Sequence, residues 1–164
     1  MSNLHRIAER AVAGAISRGL TVATAESLTA GMVTAVLADT PGASGMLQGG
    51  VVSYQNSVKA DVLDVPRELL DAVGSVDAEV AAAMAAGARR VCGADIGVAT
   101  TGVAGPEPHD GKPVGTVFVG LATAEGTTSF GYVFEGNRAD IRGQACAAAL
   151  ERLLEALSFD AYPA

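Results

Sequence analysis

An apolar run, Leu20-Thr21-Val22-Ala23-Thr24, passes without a break through Ala25-Glu26-Ser27-Leu28-Thr29-Ala30-Gly31 into Met32, Val33, Val36 and Leu37 at helical spacing. A strand that turns straight into a helix constrains the chain to a layered α/β arrangement, because the helix must lie back over the sheet to bury its apolar stripe. The same turn places Ser27 at the rim of the sheet. Beside it lie the first N–H groups of the next helical turn, free to receive an anionic oxygen. A serine nucleophile requires that position. Serine is also a common helix N-cap, the more frequent role at such a turn, so position alone leaves both readings open.

The rest of the chain continues the pattern. Leu4, Ile7, Ala8, Ala11, Val12, Ala15 and Ile16 share one face of a helix that Gly19 ends. The spacing predicts a second helix over 29–39, a short and largely buried strand over 50–54, a brief helix from Ser57 to Leu63 and another over 67–73 after Pro66. Asp77 caps a helix over 78–91, so rich in alanine that it must pack closely on the sheet. A third strand over 96–100 exits into Thr101-Gly102-Val103-Ala104-Gly105-Pro106 and a polar stretch over 107–112. Two strands, 114–123 and 127–134, flank a two-residue hairpin turn at Glu125-Gly126. The last helix starts at Asn137, with Asp140 closing a capping-box-like pair, and presents Cys146, Leu150, Leu153 and Leu157 on one face. The predicted fold is a three-layer α/β/α sandwich with a mixed β-sheet, as a single domain over 1–164.

Length and charge narrow the function. A chain of 164 residues buries a proper core without metals or disulfides. A net charge of −7 argues against nucleic acid as the main partner, though not against one small phosphorylated ligand held by local cations. No stretch has the length of a transmembrane helix, and the first residues lack an apolar signal core, so a cytoplasmic protein with no membrane partner is expected. Cys92 and Cys146 fall in predicted helices without metal-ligand spacing and read as buried free thiols. No metal site and no cofactor are expected.

Open α/β sheets place their sites at strand ends. Here those points carry Glu26-Ser27, then Tyr54-Gln55-Asn56 with Lys59, then 101–106, and parallel neighbouring strands bring all three to one crevice. Lys59 reads either as a solvated surface lysine or as a desolvated amine that takes the Ser27 proton. His5 and His109 have no evident triad partner and read as surface residues, which leaves Lys59 and Tyr54 as the general-base candidates. Arg138 and Arg142 share a face at the start of the last helix, where they serve either a bound phosphate or salt bridges to the surplus of acids. Gly49-Gly50 and Gly102-Val103-Ala104-Gly105 permit close backbone approach to a ligand, without a Rossmann or P-loop pattern.

Taken in order, six segments resemble the C-terminal domain family of the competence/damage-inducible protein CinA over about residues 4 to 157. They are Ala25-Glu26-Ser27-Leu28-Thr29-Ala30-Gly31; Pro41-Gly42-Ala43-Ser44; Gly49-Gly50-Val51-Val52-Ser53-Tyr54-Gln55-Asn56 with Lys59; Thr101-Gly102-Val103-Ala104-Gly105-Pro106; Lys112-Pro113-Val114-Gly115-Thr116-Val117; and Gly136-Asn137-Arg138 with Arg142. Stand-alone members of that family include nicotinamide mononucleotide (NMN) deamidases. The resemblance implies hydrolysis of NMN to nicotinate mononucleotide and ammonia in pyridine nucleotide salvage, by a metal-free serine–lysine mechanism in a homodimer. Carried onto this chain, Ser27 is the nucleophile, Lys59 its base and Tyr54 a helper in proton transfer or orientation. The implied substrate residues are Glu26, Leu28, Thr29, Gly49, Gly50, Asn56, Thr101, Gly102, Ala104, Gly105, Arg138 and Arg142.

The chain departs from the family pattern at Leu28 and Ala30, where Cys and Gly are usual, at Asp77 in place of Ser, and at Glu107-Pro108-His109-Asp110 in place of a glycine-rich insert. Leu28 still contributes its backbone N–H, Ala30 adds a methyl that would crowd a ligand, and the acidic insert would weaken binding of a phosphorylated substrate. The alternatives are an amidohydrolase for another nucleotide-like amide and a non-catalytic module that binds pyridine nucleotides or a protein partner.

Overall fold

A computed structural model describes residues 2–159; residue 1 and residues 160–164 of the expected domain lie outside the described part. The elements run α1 (Asn3–Arg18), β1 (Val22–Glu26), α2 (Met32–Ala38), β2 (Leu47–Val52), α3 (Asn56–Leu63), α4 (Arg67–Val73), α5 (Ala78–Cys92), β3 (Ile96–Gly102), β4 (Thr116–Thr123), β5 (Gly126–Val133) and α6 (Arg138–Phe159). The five strands form one sheet in the order β2-β1-β3-β4-β5. β1 pairs in parallel with β2 and β3, and β4 and β5 add the antiparallel part. The sheet is mixed and lies between two helical layers, as the sequence predicts.

Its two faces are packed differently. On one, α1, α2 and α6 bury Val12, Leu37, Leu150 and Leu153 against Val22, Val98 and Val119. On the other, α5 lays Val80, Met84, Ala85 and Ala88 against Ala23, Ala25, Ala99 and Ala122. A Cβ on Gly97 would stand 2.0 Å from the Ala85 carbonyl oxygen, and one on Gly120 would stand 2.0 Å from that of Ala81. Helix and strand backbones approach as closely as the alanine content demands. Asp77 caps α5 through the Glu79 N–H, and Asn137 and Asp140 exchange bonds at the start of α6 in a complete capping box.

Several boundaries differ from the sequence reading. α2 begins at Met32 rather than 29, because Ala30 (φ +49°) and Gly31 (φ +98°) are left-handed and hold the chain out of the helix. β2 starts at Leu47 and, as an edge strand, is only alternately covered, since the seven-residue α2 leaves Gln48, Gly50 and Val52 exposed. α3 starts at Asn56, so Ser57 lies inside it rather than capping it. Thr123 pairs with Gly126, which moves the hairpin turn one residue back to Ala124-Glu125. Cys92 and Cys146 are free thiols, Cys146 fully buried and Cys92 partly. No described helix is long and apolar enough to cross a membrane.

Candidate active site

The C-terminal ends of β1 and β3 and the chain leaving β2 meet at one end of the sheet, around a cavity of about 490 Å³. Ser27 follows β1 directly. Its N–H donates to the Thr100 carbonyl (3.0 Å) and its carbonyl accepts from the Ala30 N–H (3.1 Å), so it sits in a tight turn and caps no helix. The capping role belongs to Glu26. Its buried carboxylate crosses to α2 and accepts from the N–H groups of Val33 (2.8 Å) and Thr34 (3.0 Å) and from the Thr29 and Thr34 hydroxyls. A negative charge there satisfies helix N–H groups that Gly31 has no side chain to cap.

Lys59 projects from the first turn of α3 into the protein and is 1 % exposed. Its Nζ is 3.0 Å from Ser27 Oγ, 2.8 Å from the Ser53 carbonyl and 3.2 Å from the Tyr54 carbonyl. The alternative of a solvated lysine is thereby excluded. Burial pulls the ammonium down from 10.5 to about 8, with the Asp110 carboxylate acting weakly the other way. The three contacts also fix what the amine does once neutral. Two carbonyls claim its two remaining N–H bonds, and the lone pair is left facing Ser27 Oγ.

Among the described residues the N–H groups of Leu28 and Thr29 donate to no protein acceptor. Their carbonyls are held by Arg142, whose Nε reaches Leu28 O at 2.8 Å and whose Nη2 reaches Thr29 O at 3.2 Å. Arg142 thus braces the turn behind Ser27 instead of lining the cavity. Arg138 does line it, donating to Gly105 O (2.6 Å) and to the Tyr54 hydroxyl (2.8 Å). Tyr54, half exposed as a residue, therefore meets Lys59 through its carbonyl and Arg138 through its phenol.

Of the sequence-predicted set, Ser27, Leu28, Tyr54, Asn56, Gly102, Ala104, Gly105 and Arg138 line the cavity, with Lys59 beneath Ser27. The structure turns Glu26, Thr29, Thr101, Gly49, Gly50 and Arg142 to other partners. Thr29 joins Glu26 and Thr100, and Thr101 Oγ1 donates to Ser75 O at 2.6 Å. Gly50 admits the Thr24 and Thr34 hydroxyls, which a Cβ would meet at 2.4 and 2.6 Å, and Gly49 lies against Cys92. Ala30 is exposed and outside the cavity wall, so its methyl leaves the cavity free and its cost is the left-handed backbone.

Sequence reasoning marked the acidic insert 107–110 as acting on the ligand but missed Ser75 and its pairing with Asp110; Ser75, Glu107, His109 and Asp110 all line the cavity. Ser75 and Asp110 are 35 residues apart, beyond any local spacing; the one sequence signal is Asp110-Gly111, a dipeptide suited to a tight turn. Among the described residues no group of three or more His, Cys, Asp or Glu could hold a metal ion.

A sheet end with a serine and a buried lysine in contact invites comparison with known proteins. The profile of the CinA C-terminal domain matches residues 4–157. The chain belongs to the CinA C-terminal domain family. Relatives include a putative competence-damage inducible protein of Bacillus pumilus, 48% identical over 139 residues, which cover 85% of this chain and 33% of that one. A CinA-like protein of Frankia casuarinae is 48% identical over 136 residues, 83% of this chain and 31% of its own. The chain thus spans about a third of the length of these relatives.

Solved structures match throughout. A CinA superfamily protein from Klebsiella pneumoniae superposes with a TM-score of 0.92 at 31% identity, covering 96% of this chain and 99% of that one. A competence/damage inducible protein from Agrobacterium tumefaciens gives 0.90 at 34% identity and 96% of each chain. The CinA-type fold is shared by solved chains of about this length.

Proposed function

We propose that this CinA-type domain is an NMN amidohydrolase, converting NMN and water to nicotinate mononucleotide and ammonia. One observation carries the reading: a fully buried lysine amine 3.0 Å from a serine hydroxyl at the floor of an open cavity, with its proton affinity lowered to about 8. A structural lysine would gain nothing from losing its hydration there, whereas a base must give up its proton near working pH.

Neutral Lys59 accepts the Ser27 proton as Oγ attacks the carboxamide carbon. The tetrahedral oxyanion forms beside the Leu28 and Thr29 N–H groups, each well-placed donor stabilising it by roughly 3–4 kcal/mol. Lys59 then returns its proton to the departing ammonia, leaving an ester on Ser27. Water attacks that ester with Lys59 again as base, and the carboxylic acid leaves with Ser27 regenerated. The phosphate role falls to Arg138 at the start of α6, because Arg138 lines the cavity whereas Arg142 lies behind the Ser27 turn. Tyr54 positions Lys59 with its carbonyl and Arg138 with its hydroxyl.

The family resemblance further supports a metal-free homodimer acting in pyridine nucleotide salvage, and the net charge of −7 argues against nucleic acid as its main partner. Ammonia release from NMN, measured for the natural chain and for Ser27→Ala, tests the reaction. Turnover that disappears with Ser27→Ala supports it. Tight binding of NMN without ammonia release identifies a binding module, and release only from another amide changes the substrate.

A further inference from the structure

Asp110 has a left-handed backbone (φ +50°), a conformation Asp and Asn tolerate better than other L residues. What holds it there is Ser75, whose N–H (2.9 Å) and hydroxyl (3.0 Å) both donate to Asp110 Oδ2. His109 Nε2 stands 3.3 Å from the same oxygen, and a Cβ on Gly74 would meet it at 2.7 Å. Ser75 is fixed in turn through its carbonyl, which accepts from Thr101 Oγ1 at the end of β3. The hydrogen bonds from Ser75 hold the Asp110 carboxyl below the usual carboxylate range, so it is ionised whenever Lys59 titrates. It lines the same cavity as Ser27, whose hydroxyl is 3.0 Å from the Lys59 amine, and from there its negative charge favours the Lys59 ammonium.

The other charged groups around Lys59 are already engaged. On α3 and just past its end, Asp61 pairs with Arg67 and Asp64 with Arg90 of α5, which also donates to Val62 O. Glu26, at the end of β1, is turned to α2, and Arg138 of α6 is held by Tyr54 and Gly105. His109 faces Asp110.

We propose that Asp110 is a positioning residue of the site, its carboxylate clamped by Ser75 at the cavity wall so that a fixed negative charge stabilises the Lys59 ammonium formed when the serine proton is taken up. The inference rests on the serine–lysine reading above, yet its central measurement needs no substrate. The chain has two lysines, Lys59 and Lys112, so ¹³Cε-lysine NMR gives two signals, and loss of one in Lys59→Met assigns the other. Asp110→Asn retains the left-handed preference and an oxygen for the Ser75 N–H, and removes only the charge.

The Lys59 midpoint, near 8 in the natural chain, is expected to fall by about half a unit or more in Asp110→Asn, while Lys112 stays in place. The acid limb of kcat/KM for ammonia release moves to lower pH by the same amount. Ser75→Ala, which frees the carboxylate to turn to solvent, gives a smaller shift of the same sign. An unmoved Lys59 midpoint in a folded Asp110→Asn overturns the proposal. A shifted midpoint in a chain that releases no ammonia from NMN sustains it and overturns the substrate reading instead.

Discussion

The floor of the cavity and its rim are built on opposite terms. At the floor, Ser27, Leu28, Thr29 and Lys59 are buried; Lys59 contacts Ser27 and two carbonyls, Arg142 holds two carbonyls, and Glu26 accepts from N–H groups of α2 and from the Thr29 and Thr34 hydroxyls. At the rim, Tyr54, Asn56 and Glu107 are exposed, and Arg138 rests on one carbonyl and one phenol. Displacing a floor group leaves a charge or a carbonyl buried without a partner, whereas rim groups exchange their contacts for water at little cost. Chemistry that needs a desolvated amine belongs to the floor, and ligand selection belongs to the rim.

The largest effects should therefore come from the floor. Ser27→Ala and Lys59→Arg are each expected to lower kcat by on the order of 10³-fold or more with KM little changed, since both act only along the reaction path. Arginine keeps the charge but does not lose its proton in proteins, so an active Lys59→Arg would show that charge alone matters. In the natural chain kcat/KM rises with pH through a midpoint near 8, as the amine becomes neutral.

Next comes Arg142→Ala, expected to reduce kcat by about 10²-fold, because the Leu28 and Thr29 peptides lose their brace and the oxyanion donors lose their aim. A rise in KM for NMN that spares its dephosphorylated nucleoside would instead return Arg142 to the phosphate and dissolve the distinction between floor and rim.

Stability sharpens the same contrast. The folded-state pKa of Lys59 lies near 8 and the unfolded one near 10.5, so between those values the unfolded chain binds the extra proton and folding stability gains with rising pH. A shift of that size corresponds to roughly 3 kcal/mol. Denaturation of the natural chain and of Lys59→Met should show a stability difference that changes in favour of the natural chain from pH 8 to 10, and a constant difference would contradict the buried ammonium.

At the rim, Arg138→Ala should raise KM for NMN by about tenfold and leave the nucleoside nearly unaffected, with kcat preserved. Smallest of all, Ala30→Gly relieves the left-handed strain at the mouth of the turn and should stabilise the fold by about 0.5 kcal/mol, seen as a small rise in Tm.

Much of this was legible in the residues. Periodicity placed every major element, and the hairpin signal predicted the antiparallel half of the sheet. Asp77 and the Asn137–Asp140 pair announced their helix starts, because capping acts over three residues and needs no tertiary context. Ser27 and Lys59 stood out because each follows a strand end.

The sequence by itself determined the layers, the close alanine packing of α5 and the candidate pair of serine and lysine, since these depend on local periodicity and residue type. Only the tertiary structure decided which polar partner each charged group of the site takes. It gave Glu26 to α2, Arg142 to the carbonyls behind Ser27, Arg138 to the cavity and Asp110 to Ser75. The physical reason is that a charged or polar group at the site bonds whatever partner the fold brings within about 3 Å, and those partners lie from seven to more than a hundred residues away along the chain.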